Sequence, residues 1–105
     1  MQNRTYAPDW RDVVVYSSPG PTPHILPDEP WLRVLVAGLE PGGQIPPHPG
    51  PRAVYHALEG EGIVRIDGEE LAFPAGATVV APAGSTRAIE AVTRFAFLGV
   101  RLGEE

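Results

Sequence analysis

The chain has no cysteine and no lysine among its 105 residues. Without cysteine there is no thiolate nucleophile, disulfide, zinc–thiolate knot or iron–sulfur cluster. Without lysine there is no Schiff-base amine and no Walker-type phosphate grip. Basic clusters are missing too. Eight arginines face thirteen acidic residues, for a net charge of −5. That balance argues against nucleic acid or an anionic membrane as partner. No apolar run approaches the ~18 residues of a membrane span. The opening MQNRTYAPDW lacks the apolar core of a secretion signal. A soluble, cytoplasmic protein is expected, and 105 residues allow one domain.

Glycine and proline are abundant. Twelve and thirteen of them give 25 of 105 residues, about twice the ~12% of average usage. The 43% hydrophobic content argues against disorder. Only Asp9–Ser18 and Ser85–Leu98 run ten residues without either breaker. Both are rich in valine or aromatics, so they read as strands. Helices are excluded almost everywhere. Strands are expected at Asp12–Ser17, Trp31–Leu39, Ala53–Leu58, Ile63–Ile66, Glu70–Phe73, Thr78–Ala81, Arg87–Ala91 and Arg94–Arg101. Asp67-Gly68 has the form of a type I′ hairpin turn. Pro19–Pro30 and Ile45–Pro51, with five and four prolines, read as stiff loops. Seven or eight short strands with turns every eight to twelve residues predict an all-β sandwich or barrel. Trp31, Phe73, Phe95 and Phe97 are expected in the core or a subunit interface.

Two blocks carry a resemblance. One runs from Pro41-Gly42 through His48 to Tyr55-His56-Ala57-Leu58-Glu59-Gly60-Glu61-Gly62; the other is Gly76-x5-Pro82-x-Gly84, followed by Arg87. Together they resemble the small single-domain cupins over residues from about 31 to 100. That family's motifs read G-x5-H-x-H-x3,4-E-x6-G and G-x5-P-x-G-x2-H-x3-N. The resemblance implies a double-stranded β-helix, a short jelly-roll barrel with its site in the mouth. A single domain over 1–105 is expected, its barrel at about 31–101 preceded by an N-terminal strand and Pro-rich loop at 1–30.

The family's metal ligands do not carry over. His48 falls on the first histidine, but Gly50 stands at the second. Counting back from Gly60 puts Ala53 in the glutamate slot, while Arg87 replaces the motif-two histidine and Ala91 the asparagine. A transition-metal site needs at least three N, O or S ligands. No cofactor is therefore expected. A divalent metal is the minority alternative, with His48 its only family-matched ligand; His24 plus a carboxylate has no spacing signal behind it.

Ligand-binding candidates are His48, Arg87, Tyr55, Arg52 and Gln44, set in an apolar barrel interior. Two readings of Arg87 stand open. Its guanidinium fork grips a small anion inside the barrel, or it pairs with Glu90 or another acid and points outward. In the first reading Glu90 has the wrong strand parity to help, so a carboxylate, sulfate or phosphate is the expected partner, held by two hydrogen bonds. His48 and Tyr55 are also candidates for a base–acid pair.

Three functions follow: a metal-free small-molecule binder, preferred on ligand count; a metal-free isomerase or epimerase using His48 and Tyr55; or a dioxygenase or isomerase with an altered ligand set. A bare interaction module is the blandest option. A homodimer is expected, with Asp12–Ser17 and the outward row Val54, His56 and Leu58 as candidate contacts, since small barrels leave sheet edges open.

Overall fold

The structure, a computed structural model, describes residues 6–103, so both ends of the expected 1–105 domain lie outside the described residues. It is a two-sheet barrel. The first sheet is built on β10 (Phe95–Leu102), flanked by β3 (Leu32–Leu39) and β5 (Ala53–Glu59), with β8 (Thr78–Ala81) beyond β5. On its far side β3 pairs with β2 (His24–Glu29) and with the two-residue β1 (Tyr16–Ser17). Facing it is the second sheet: β4 (Gln44–Pro49), β9 (Thr86–Ala91), β6 (Glu61–Ile66) and β7 (Glu69–Pro74), in that order. The expected double-stranded β-helix is the fold observed. No described helix is long and apolar enough to cross a membrane.

Period-two alternation is plain on β5, where Ala53, Tyr55 and Ala57 are buried while Val54, His56 and Leu58 are half-buried on the other face. The β6–β7 hairpin turns at Asp67 (φ 50°) and Gly68 (φ 87°), the double positive φ that a type I′ turn demands. Gly60 has φ +83° and lies so close to the Arg94 carbonyl that a Cβ would overlap it.

Two expectations need correction, each for a backbone reason. Both proline-rich runs form strands rather than loops: β2 lies inside Pro19–Pro30, and β4 takes up most of Ile45–Pro51. Each is an edge strand whose pairing shifts register, between Ile25 and Asp28 in β2 and between Ile45 and His48 in β4. An edge needs ladder bonds on one side only and a bulge relieves others, so missing N–H groups are tolerated there. The Asp12–Ser17 strand shrinks to β1. Ahead of it, Trp10–Asp12 forms a 3-10 turn capped by Asp9, whose carboxylate accepts from the Arg11 amide at 3.0 Å. The amides of Val13 and Val14 then donate to the Trp10 carbonyl instead of to a neighbouring strand. Trp31, expected in the core or an interface, is 56% exposed in the described chain and so stands outside this chain's core.

The core is graded along the barrel axis. Phe73, Phe95 and Phe97 are in ring contact one after another, the first pair tilted and the second stacked, with centroids 5.7 and 6.0 Å apart, toward one end. Each buried ring of this kind contributes ~1.5–3 kcal/mol by leaving water. Toward the other end the inner face of the first sheet thins to small residues. Phe97 is flanked by Ala37 and Ala57, then Gly99 by Leu35 and Tyr55, then Arg101 by Arg33 and Ala53. Ala37, Ala57 and Gly99 in these middle rows leave a hole, and charge appears at its rim.

Candidate functional site

That hole is a cavity of about 180 Å³. Leu35, Ile45, Ile89 and Phe97 supply its apolar wall, and its polar lining comes from His48, Tyr55, Arg87 and Arg101. Pro21 and Pro23 also line it, so the segment between β1 and β2 lies over the mouth. That segment is tied down where the Gln44 amide donates to the Pro19 carbonyl at 2.7 Å and the Ser17 hydroxyl to the Gly20 carbonyl at 2.7 Å.

His48 reaches the interior because β4 is bulged. Ile45 and His48 are three residues apart, a spacing that puts side chains on opposite faces of a regular strand. The register shift across Pro46-Pro47 restores the parity, and both residues line the cavity. The His48 Nδ1 lies 2.9 Å from the Pro46 carbonyl oxygen. A carbonyl only accepts, so Nδ1 carries the proton and Nε2 is left for another partner. Directly across the ladder from His48 stands Arg87.

Arg87 is the largest fully buried side chain in the described protein, at 1% exposure. Outward pairing with Glu90 is thereby excluded; Glu90 instead meets Arg65 on the outer face at 3.3 Å. Most of its donors are turned to the protein rather than held open as a fork. Nε donates to the Ser85 carbonyl at 3.0 Å and Nη1 to the Pro51 carbonyl at 2.8 Å. Nη2 is shared among the Pro82 carbonyl (3.0 Å), the Ser85 hydroxyl (3.0 Å) and the Gly50 carbonyl (3.3 Å). A guanidinium has five N–H groups, and this cage takes all but one of the Nη1 pair. The side chain is a clamp between the β4–β5 and β8–β9 connections. Backbone carbonyls supply the acceptors for which a carboxylate or bound anion was expected, while one Nη1 hydrogen and the charge itself stay uncommitted. Its positive charge is left without a carboxylate partner. Gly50 lets the guanidinium pack close to the backbone, since a Cβ there would stand 3.2 Å from Nη1 and press on it.

Tyr55 is buried and meets Phe97 edge-on, with centroids 6.1 Å apart. No described group hydrogen-bonds its hydroxyl, which is not sealed from solvent. Two candidates fall outside the cavity. Arg52 is exposed, and Gln44 lies in a separate shallow depression with Pro19, Gly42 and Pro46. The same parity that brings Ile45 inward turns Gln44 out.

Arg101 is a site residue that the sequence candidates do not include. It is half-buried, lines the cavity, and faces Ala53 across the β5–β10 ladder. Strand parity could have found it: Phe95, Phe97, Gly99 and Arg101 share one face. Ser85, which no hydrolase motif singles out, is buried and serves the clamp, its hydroxyl also donating to the Pro82 carbonyl at 2.6 Å.

The residues do not suit the family's metal. Across from His48 stands a cation, across from Ala53 another, and no three His, Asp or Glu side chains among the described residues gather closely enough to hold an ion. His24, the other imidazole considered, pairs opposite Val36 on β2 and is not in the cavity lining.

Comparison with known proteins agrees with the architecture. No curated protein matches the chain. Among solved structures, it is similar to the conserved SPY1581 protein of unknown function from Streptococcus pyogenes, 29% identical over 95% of this chain and 89% of that one, with a TM-score of 0.86. A cupin 2 conserved barrel domain protein from Leptotrichia buccalis is 26% identical, over 88% of this chain and 45% of that longer one, with a TM-score of 0.81. The TT1209 protein from Thermus thermophilus, 23% identical over 94% of this chain and 98% of that one, shares the fold at a TM-score of 0.84. The family model for the cupin domain matches residues 35–98. With its glycine-punctuated strands, its two facing sheets and that match over most of its length, the chain belongs to the cupin family.

Proposed function

We propose that this cupin binds a small anionic molecule in the barrel mouth without a metal. One observation carries the reading. The polar lining of the cavity is two arginines, a histidine and a tyrosine, with no acid among the lining residues, in a protein whose net charge is −5. Positive charge gathered in a low-dielectric pocket favours an anion. The test has two parts. Elemental analysis of protein purified without added metal is expected to give well under one equivalent of zinc, iron, nickel or manganese. Thermal-shift screening is expected to show stabilisation by small carboxylates, since a ligand that binds only the folded state raises the melting temperature. A stoichiometric metal, or indifference to every anion, overturns the proposal.

A second reading has one observation in its favour. The His48 Nε2 and the Tyr55 hydroxyl are both without protein partners among the described residues and line the same cavity. A base and an acid so placed suit proton transfer in an isomerase or epimerase. Exchange of a carbon-bound proton of a bound carboxylate with deuterated solvent, lost in His48→Gln, would favour it over simple binding.

A further inference from the structure

We infer that the ligand is a monocarboxylate with a compact apolar body, and that Arg101, rather than Arg87, anchors its carboxylate. This rests on the anion-binding reading above and narrows it. The argument begins with which cation has donors to give. Arg87 has committed its Nε and both Nη2 hydrogens to the cage, leaving a single N–H on Nη1. Bidentate recognition of a carboxylate needs two parallel N–H groups, and Arg87 cannot present them without breaking the clamp. Arg101 is half-buried and has no hydrogen bond or ion pair with any described residue. Glu29, which shares a cleft with it beside the cavity, makes no ion pair with it. Arg33, opposite Arg101 on β3, has its own interaction.

Position gives the ligand its orientation. Pro51 accepts from Arg87 Nη1 and also lines the cleft that Arg101 enters. Both cations therefore sit at one end of the cavity. The opposite wall is Leu35, Ile89 and Phe97, with the tyrosine ring edge-on to Phe97. A carboxylate at the Arg101 end directs the rest of the molecule onto that wall. An apolar cavity of ~150 Å³ in another protein takes up benzene, so about 180 Å³ suits a single ring or a branched chain of similar bulk. Highly charged or polyhydroxylated anions would strip water from polar groups against Leu35 and Phe97 with nothing to replace it. The uncompensated charge of Arg87 adds a second attraction at short range without donating a fork.

The test uses isothermal titration of the full-length protein with phenylacetate, acetate, inorganic phosphate and benzyl alcohol. Phenylacetate is expected to bind at least 10-fold more tightly than each of the other three. In Arg101→Gln its affinity is expected to fall about 10- to 100-fold, the range for losing a charge-assisted hydrogen bond. Arg101→Lys should recover part of the loss, and the exposed Arg11→Gln should change nothing. A melting curve for each variant establishes that it is folded. Undiminished binding of phenylacetate to Arg101→Gln overturns the anchor while leaving the anion reading intact. Acetate or phosphate binding as tightly as phenylacetate overturns the ligand class, again without touching that reading. If benzyl alcohol matches phenylacetate, or none of the four binds, both the inference and the reading beneath it fall.

Discussion

Truncating Arg87 tests whether backbone carbonyls can stabilise a buried guanidinium in this barrel. Of its acceptors, the Gly50 carbonyl also receives the Gly84 amide at 2.8 Å, and the Pro82 carbonyl receives the Ser85 amide at 3.0 Å. Those two keep a donor when Arg87 is lost. The Pro51 and Ser85 carbonyls have no other donor among the described residues. Leaving a buried acceptor unsatisfied costs ~1–3 kcal/mol, so Arg87→Ala should destabilise the fold by ~2–6 kcal/mol, centred near ~4 kcal/mol. For a chain of this size that lowers the melting temperature by roughly 15–25 °C. Arg87→Lys should fall between the two, since an ammonium keeps the charge but cannot reach acceptors on both connections at once. Urea unfolding of the three proteins, followed by tryptophan fluorescence, reads the differences directly. A loss below ~1 kcal/mol for Arg87→Ala would refute the reasoning, because it would mean that solvent already satisfies both carbonyls.

Three further outcomes are expected. The outer face of the first sheet carries Val54, His56 and Leu58 on β5 beside Leu98 and Val100 on β10, with no charged side chain in that grid. Light scattering should therefore give twice the 11.2 kDa chain mass, and Val54→Asp should return the monomer. Burial, and then donation of its hydroxyl to Glu59 at 2.6 Å, push Tyr16 up to about 12. The unfolded tyrosine ionises near 10, so its contribution to stability is complete below that pH and lost as pH rises toward about 12; unfolding midpoints across this window should fall in the wild type and less so in Tyr16→Phe. Gly60→Ala forces a side chain into positive φ against the Arg94 carbonyl and should cost at least ~2 kcal/mol in urea denaturation.

The fold was largely legible because punctuation and alternation are local. Asp67-Gly68 and the buried triplet of β5 need no knowledge of distant chain. Proline misled where its meaning is topological: the same residue that ends a central strand is harmless on an edge, and edges are known only once strands are ordered. The β4 bulge illustrates the cost. Simple parity puts His48 outside if Ile45 is inside, and only family spacing kept it in the cavity. Arg101 is reachable by parity alone, but it falls at no position of the family's metal-ligand motifs. The cage around Arg87 was out of reach for a different reason. Two of its carbonyls, at Gly50 and Pro51, come from 37 and 36 residues earlier in the chain, and a backbone carbonyl leaves no mark in the sequence of side chains.

The contact between Gly50 and the Arg87 guanidinium also restricts which mutational routes are open. A histidine introduced at position 50 drives its Cβ to within 3.2 Å of Nη1 while the arginine is in place. A histidine introduced at position 87 strands the Pro51 and Ser85 carbonyls while nothing at 50 or 53 is ready to share a metal. The first step asks the guanidinium to shift within its cage, the second empties the cage, and neither alone gains a ligand set. The two positions are coupled through that one contact, so that a return to metal chemistry is expected to need substitutions made together rather than one at a time.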